Sequence, residues 1–140
     1  MFVRSFRLSD YRSCANLLKD VLSEACYTET MEAFARQLSW DSELVLVAEL
    51  DGEIIGIVIG TIDNNQGCFY RLAVHRGHRH KGVGKALIKG MQQRFTQRKV
   101  SRILITADEH NQPILPLYES MGYRNKDFLH SFQKLRIVAG

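Results

Sequence analysis

The chain of 140 residues predicts an α/β (α+β) domain: a central mixed, mostly antiparallel sheet of roughly six to seven strands flanked by about four helices. Three observations lead there. Asp51-Gly52 joins two apolar runs, 44–50 and 53–62, and Asp-Gly between such runs is the strongest short hairpin signal. Residues 69–74 are rich in aromatic and β-branched types, as strands are, and a glycine-rich basic loop follows them. Beyond that loop Val83, Ala86, Leu87, Met91 and Phe95 form one helical stripe. A strand over 100–106 can then lie parallel to 69–74 through a right-handed crossover.

The other elements follow in order. Residues 2–8 read as a short, peripheral first strand. Ser9-Asp10 offers an N-cap and a first-turn carboxylate to a helix with Tyr11, Cys14, Ala15, Leu18, Val21 and Leu22 at helical spacing. That helix is expected to stop near Ser23, and a second to begin around Thr28 or Thr30 and carry Met31, Phe34, Ala35 and Leu38. The connector 23–29 then holds two acids and a tyrosine. Gly56 and Gly60 mark a bulge or a close packing contact. Residues 64–67 turn into the 69–74 strand and complete an antiparallel meander. Arg94, Arg98 and Lys99 suit the negative C-terminal end of the long helix. Residues 108–111 turn into a last short helix ending near Met121-Gly122. Pro116 requires that helix to start late or to kink, because an interior proline costs ~3 kcal/mol. Phe128, Phe132, Leu135 and Ile137 suffice for one or two closing strands.

The length fits one domain over 1–140, large enough to bury about two-thirds of its unfolded surface. Hydrophobic residues at 45% and charged ones at 24% describe an ordinary globular protein. No long apolar run suggests a membrane span, and the N-terminus lacks a signal-peptide layout. Cys14, Cys26 and Cys68 are odd in number and widely spaced, which fits reduced cytoplasmic thiols better than a disulfide framework or a zinc site. The net charge of +4 is compatible with nucleic acid, but much of it sits in the basic loop.

That loop carries Gly77, Gly82 and Gly84 among Arg76, Arg79, Lys81 and Lys85. Glycine lets backbone approach a ligand, and the amides, dipole and cations of a helix start favour a polyanion such as a pyrophosphate. Walker and dinucleotide templates fail, because Val83 follows Gly82 and Ala86-Leu87 follow Lys85. Arg79-His80-Lys81-Gly82-Val83-Gly84 instead gives R-x-x-G-x-G, preceded by Leu72-Ala73-Val74-His75 and followed by Lys85-Ala86-Leu87. This resembles the acyl-CoA-binding motif of the GNAT superfamily of N-acetyltransferases. A second segment, Asn111 to Tyr123 with Leu117-Tyr118-Glu119 and Gly122-Tyr123, is similar to that family's C-terminal motif, with Ile114 in place of the usual small residue.

The resemblance implies a GNAT fold with a splayed parallel strand pair at the acyl-CoA site, and acetyl-CoA as co-substrate without a metal. Leu72, Ala73, Val74, Arg79, His80, Lys81, Gly82, Val83, Gly84, Lys85 and Asn111 would bind acetyl-CoA. The Val74 amide would stabilise the oxyanion, and Tyr118, a phenol, would protonate the departing thiolate. An alkylamine acceptor of pKa about 10.4 must also lose a proton. Ribosomal-protein N-terminal acetyltransferases place a glutamate five positions before the motif's asparagine. Here that position is Thr106, which is no base, so Asp108, Glu109, His110, His75, His78 or a water relay stay open.

His75, His78 and His80 alternate through a basic loop without acids or cysteines, a poor metal set. Two rival readings stand beside the enzyme: a non-catalytic acyl-CoA-binding or sensing module, and a nucleic-acid-binding domain using the 71–85 basic cluster. The latter lacks interleaved aromatics, so no nucleic acid is expected as a partner. In relatives the 23–29 connector borders the acceptor, and its acidity suits a cationic amine. The expected partners are acetyl-CoA and an amine acceptor, without a membrane, and a homodimer is possible.

Overall fold

Side-chain alternation along the strands sorts the core into two layers. The computed structural model describes residues 1–130. Its elements are β1 (Phe2–Ser5), α1 (Tyr11–Val21), α2 (Glu24–Asp41), β2 (Val45–Leu50), β3 (Glu53–Asp63), β4 (Gln66–Val74), α3 (Val83–Gln97), β5 (Arg102–Ala107), α4 (Leu115–Ser120) and β6 (Phe128–His130). The strands form one sheet in the order β1-β2-β3-β4-β5-β6. The first four pair antiparallel, while β4–β5 and β5–β6 are parallel. Val45, Val47, Ile57 and Ile59 face Cys14, Leu17, Leu18 and Phe34 of α1 and α2. Leu46, Ala48 and Val58 face Leu87, Ile88, Met91 and Phe95 of α3. Period-two strands between amphipathic helices give this three-layer result.

Both hairpins carry the predicted turn chemistry. Asp51 and Gly52 have φ of 51° and 81°, and Asn64 and Asn65 have 50° and 61°. Such left-handed pairs match the twist of the strands they join. Gly56 and Gly60 let α3 approach the sheet: a Cβ would lie 2.9 Å from Leu87 at Gly56 and 3.0 Å from Met91 at Gly60. Gly60 also sits at a register shift, so bulge and contact coincide.

Several expectations are corrected. The connector between the first helices is only Leu22-Ser23. Ser23 caps α2 through a bond from the Cys26 N–H, so the acids at 24 and 29 stand on a helix instead of a loop. Asp10 does not cap α1. Its carboxylate accepts from the Arg7 N–H and from Arg4 at 2.8 Å. Pro116 lies in the first turn of α4, where it removes no intrahelical bond, so the helix starts late and does not kink. One closing strand, β6, is present; a second would fall outside the described residues. Among these, no helix is long and apolar enough to cross a membrane.

Candidate functional site

β4 and β5 pair only from Gln66↔Arg102 to Phe69↔Ile105, although β4 runs to Val74 and β5 to Ala107. Past Phe69 the two strands part. On its other edge β4 stays paired with β3 as far as Gly56↔Val74. The His75 N–H donates to the Ile55 carbonyl at 2.8 Å, which makes Gly56–Val74 a non-hydrogen-bonded pair. Backbone groups at 70, 72 and 74 therefore point into the gap.

Side-chain donors meet each carbonyl there. Asn111 Nδ2 donates to Tyr70 O at 3.0 Å and to Thr106 O at 2.7 Å, tying the two strands together where they diverge. His110 Nε2 stands 3.3 Å from Leu72 O, and Arg79 Nε donates to Val74 O at 3.2 Å. The N–H groups of Leu72 and Val74 face the same gap without a strand partner. Ala73 turns its backbone to Ile57 and its side chain into the α1 layer, so it lies behind the edge. Strand alternation is the reason.

The gap ends at the N-terminus of α3. Gly82 precedes it with φ of 82° and open space where a Cβ would stand. The Ala86 N–H already bonds Gly82 O, which leaves the amides of Val83, Gly84 and Lys85 without intrahelical partners. Arg79, His80, Lys81 and Lys85 are exposed, and among the described residues no carboxylate pairs with Arg79, Lys81 or Lys85. Val83 is buried against Gly56, and Gly84 faces Leu117 of α4. His75 Nδ1 accepts from the Gly77 N–H at 3.0 Å, within the turn itself. Among the described residues, no cluster of His, Cys, Asp or Glu has a metal-binding arrangement.

At the inner end of the gap, the Tyr118 ring packs 5.3 Å from Phe69 and 6.1 Å from Tyr123. Only 2% of Tyr118 is exposed, and its hydroxyl has no hydrogen bond among the described residues. Burial first, with Cys68 and Tyr123 beside it, pushes the phenol well above its ordinary range.

Across the sheet lies a polar network that sequence reasoning missed. Arg71 is fully buried. Its Nε bonds Thr30 Oγ1 at 3.0 Å, and its Nη1 reaches both Asp108 oxygens at 2.9 Å and Asn111 Oδ1 at 3.2 Å. Burial is the largest single influence and works against its charge, but Asp108 together with Cys26 and Tyr70 leaves the guanidinium pKa raised. Arg71 therefore does not belong to the solvent-facing basic cluster, which removes one support for a nucleic-acid surface. An arginine inside an otherwise apolar strand was the available signal. Thr106 Oγ1 stands 3.6 Å from Cys68 Sγ.

The fold has known counterparts. A ribosomal-protein-alanine N-acetyltransferase from Brucella melitensis biovar Abortus 2308 is 23% identical, over 97% of this chain and 99% of its own, with a TM-score of 0.69. An aminoglycoside 6′-N-acetyltransferase from Acinetobacter haemolyticus is 16% identical over 97% and 99%, with a TM-score of 0.73. An N-acetyltransferase from Thermoplasma acidophilum, solved in complex with coenzyme A, is 17% identical over 88% and 89%, with a TM-score of 0.70. The model of the acetyltransferase (GNAT) family matches residues 11–123, and with most of its length so matched the chain belongs to that family, as an acetyl-CoA-dependent N-acyltransferase.

Proposed function

We propose that the protein moves an acetyl group from acetyl-CoA to a primary amine of a small molecule or a protein, by direct attack through a tetrahedral intermediate. One observation carries this: the β4 edge past Phe69 is unpaired, and it leads straight to the cationic start of α3. The extended pantetheine arm, with its two amides, suits an edge that offers alternating N–H and C=O groups. The pyrophosphate suits the free amides and cations at 79–85. Arg79 then exchanges its bond with Val74 O for a phosphate oxygen. Leu72 and Val74 contribute backbone, and the Val74 N–H is the donor for the oxyanion. Gly84 and Val83 act through packing. Asn111, with its amide engaged on both strands, ties them at the point where they part.

Tyr118 is the general acid. A phenol is protonated at neutral pH and can give its proton to the departing thiolate. The acceptor is read as a small or side-chain amine: Glu24 and Glu29 on α2 favour a cation, and Thr106 supplies no strand-borne base. The relative acting on ribosomal-protein alanine keeps a peptide α-amine as the second choice. The free thiols of Cys14, Cys26 and Cys68 agree with a cytoplasmic setting. CoA release from acetyl-CoA, followed with lysine, spermidine and an alanine-initiated peptide, tests the reading. Acceptor-dependent release supports it, and binding of CoA without any release would make the protein a sensing module.

A further inference from the structure

The transfer reading leaves the acceptor's proton without a destination, because the position of a strand-borne carboxylate holds Thr106. The structure fixes the direction of the turn after β5 and narrows the choice. Asp108 gives both oxygens to Arg71, and one of them also accepts the Asn111 N–H at 3.1 Å. Glu109 is exposed, and Thr106 lies against Cys68. His75 spends Nδ1 on the Gly77 amide. His110 turns back into the gap, where its Nε2 meets the Leu72 carbonyl, while His78 lies in the turn with its ring against His75.

That contact sets the tautomer. A carbonyl oxygen only accepts, so Nε2 must carry the hydrogen, and in a neutral imidazole Nδ1 then holds the free lone pair. Nδ1 has no partner among the described residues. The ring sits on the β4 edge between the Asn111 tie at Tyr70 and the Val74 N–H, beside the place where the thioester would lie.

We infer that His110 is the general base, its Nδ1 taking the proton from the acceptor ammonium. This rests on the acetyl-transfer reading. The freed amine nitrogen bonds the thioester carbon while the carbonyl electrons move to oxygen. Collapse of that oxyanion breaks the C–S bond, and the thiolate takes the Tyr118 proton. The attacking nitrogen carries one surplus proton once it bonds carbon. It releases that proton as the intermediate collapses, which returns the phenolate to the phenol, and the proton on His110 passes to solvent. The surroundings favour a neutral ring: partial burial is the largest influence, Arg71 from β4 and Arg79 from the loop oppose a positive charge, and the Leu72 carbonyl and Asp108 favour one. The net effect holds the imidazole below its usual pKa.

The test uses the full chain with acetyl-CoA and three probes: lysine, spermidine and an alanine-initiated peptide. His110→Gln keeps an N–H donor for Leu72 O and removes the base, while His110→Ala removes both. Thermal stabilisation by CoA shows whether each variant is folded. With the amine that the wild type accepts best, His110→Gln is expected to lose ~10²–10⁴ in turnover at pH 7. That deficit should shrink as pH rises toward the amine's own pKa, about 10.4 for a side-chain amine and about 7.7–8.0 for a peptide α-amine, where neutral amine no longer needs a base. A merely structural histidine would give a deficit that does not respond to pH. Wild-type turnover in His110→Gln, or a pH-independent loss, overturns the assignment and leaves acetyl transfer standing. If the wild type itself transfers to none of the three probes, both readings fall.

Discussion

The Nη1 nitrogen of Arg71 stands 2.9 Å from both carboxylate oxygens of Asp108, joining the middle of β4 to the turn after β5. Arg71 has no exposed side-chain surface, so removing Asp108 would strand a buried charge. Asp108→Ala is expected to destabilise the fold by about 3–5 kcal/mol, as breaking a buried pair on one side does. Urea unfolding measures it. A loss below about 1 kcal/mol would mean that solvent replaces the carboxylate.

Gly84 is expected to respond as a packing position and not as a phosphate contact. A Cβ there would stand 3.1 Å from Leu117 Cδ2, with Leu72 and Val74 close behind. Gly84→Ala should cost about 1 kcal/mol, because Leu117 can yield, and Gly84→Asp more, because it sets a carboxylate against three apolar side chains. The phosphate reading is tested instead by charge reversal at exposed Lys81 or Lys85. Each should weaken CoA binding by about tenfold, or ~1.4 kcal/mol, with little change in melting temperature of the free protein. Unchanged affinity in both variants would argue against a pyrophosphate at the start of α3.

Much of this could be read in the chain beforehand, and the reasons differ by element. Asp51-Gly52 and the stripe from Val83 to Phe95 are local signals, so the hairpin and α3 appear where expected. The start of α2 was misplaced because Ser23 as a cap competes with Thr28 and Thr30, and the cap bond to Cys26 is visible only in three dimensions. The loop at 79–84 is contiguous and therefore legible. The roles of Arg71, Asp108 and His110 depend on where β4 and β5 part, which no spacing encodes. Ala73 shows the same limit: it stands inside the motif, but strand alternation turns it away from the gap.

Tyr118→Phe keeps the ring against Phe69 and removes only the hydroxyl. Turnover should fall ~10²–10⁴ while CoA affinity holds. Steady-state kinetics beside a CoA titration separates the two. Full activity would reduce Tyr118 to a packing residue.

His110 also links stability to acidity. Its folded pKa lies below the ordinary value of 6.5, so the fold favours the neutral ring. The group's contribution is present above pH 6.5 and is lost as pH falls through the folded pKa. Wild-type stability should therefore drop more steeply than that of His110→Gln on acidifying below about pH 6.5, where the unfolded ring begins to take a proton. Parallel curves would show that the ring is not held neutral.

Residue-resolved amide hydrogen exchange, with and without acetyl-CoA, examines the β4 edge most directly. The Leu72 and Val74 N–H groups face the gap without strand partners, whereas the Ala73 backbone pairs with Ile57. In the free protein Leu72 and Val74 should exchange faster than Ala73, because unpaired amides lack protection. Saturating acetyl-CoA should slow exchange at Leu72 and Val74 and leave Ala73 nearly unchanged. Binding of acetyl-CoA that left Leu72 and Val74 as fast as before would contradict the placement of the pantetheine arm on β4.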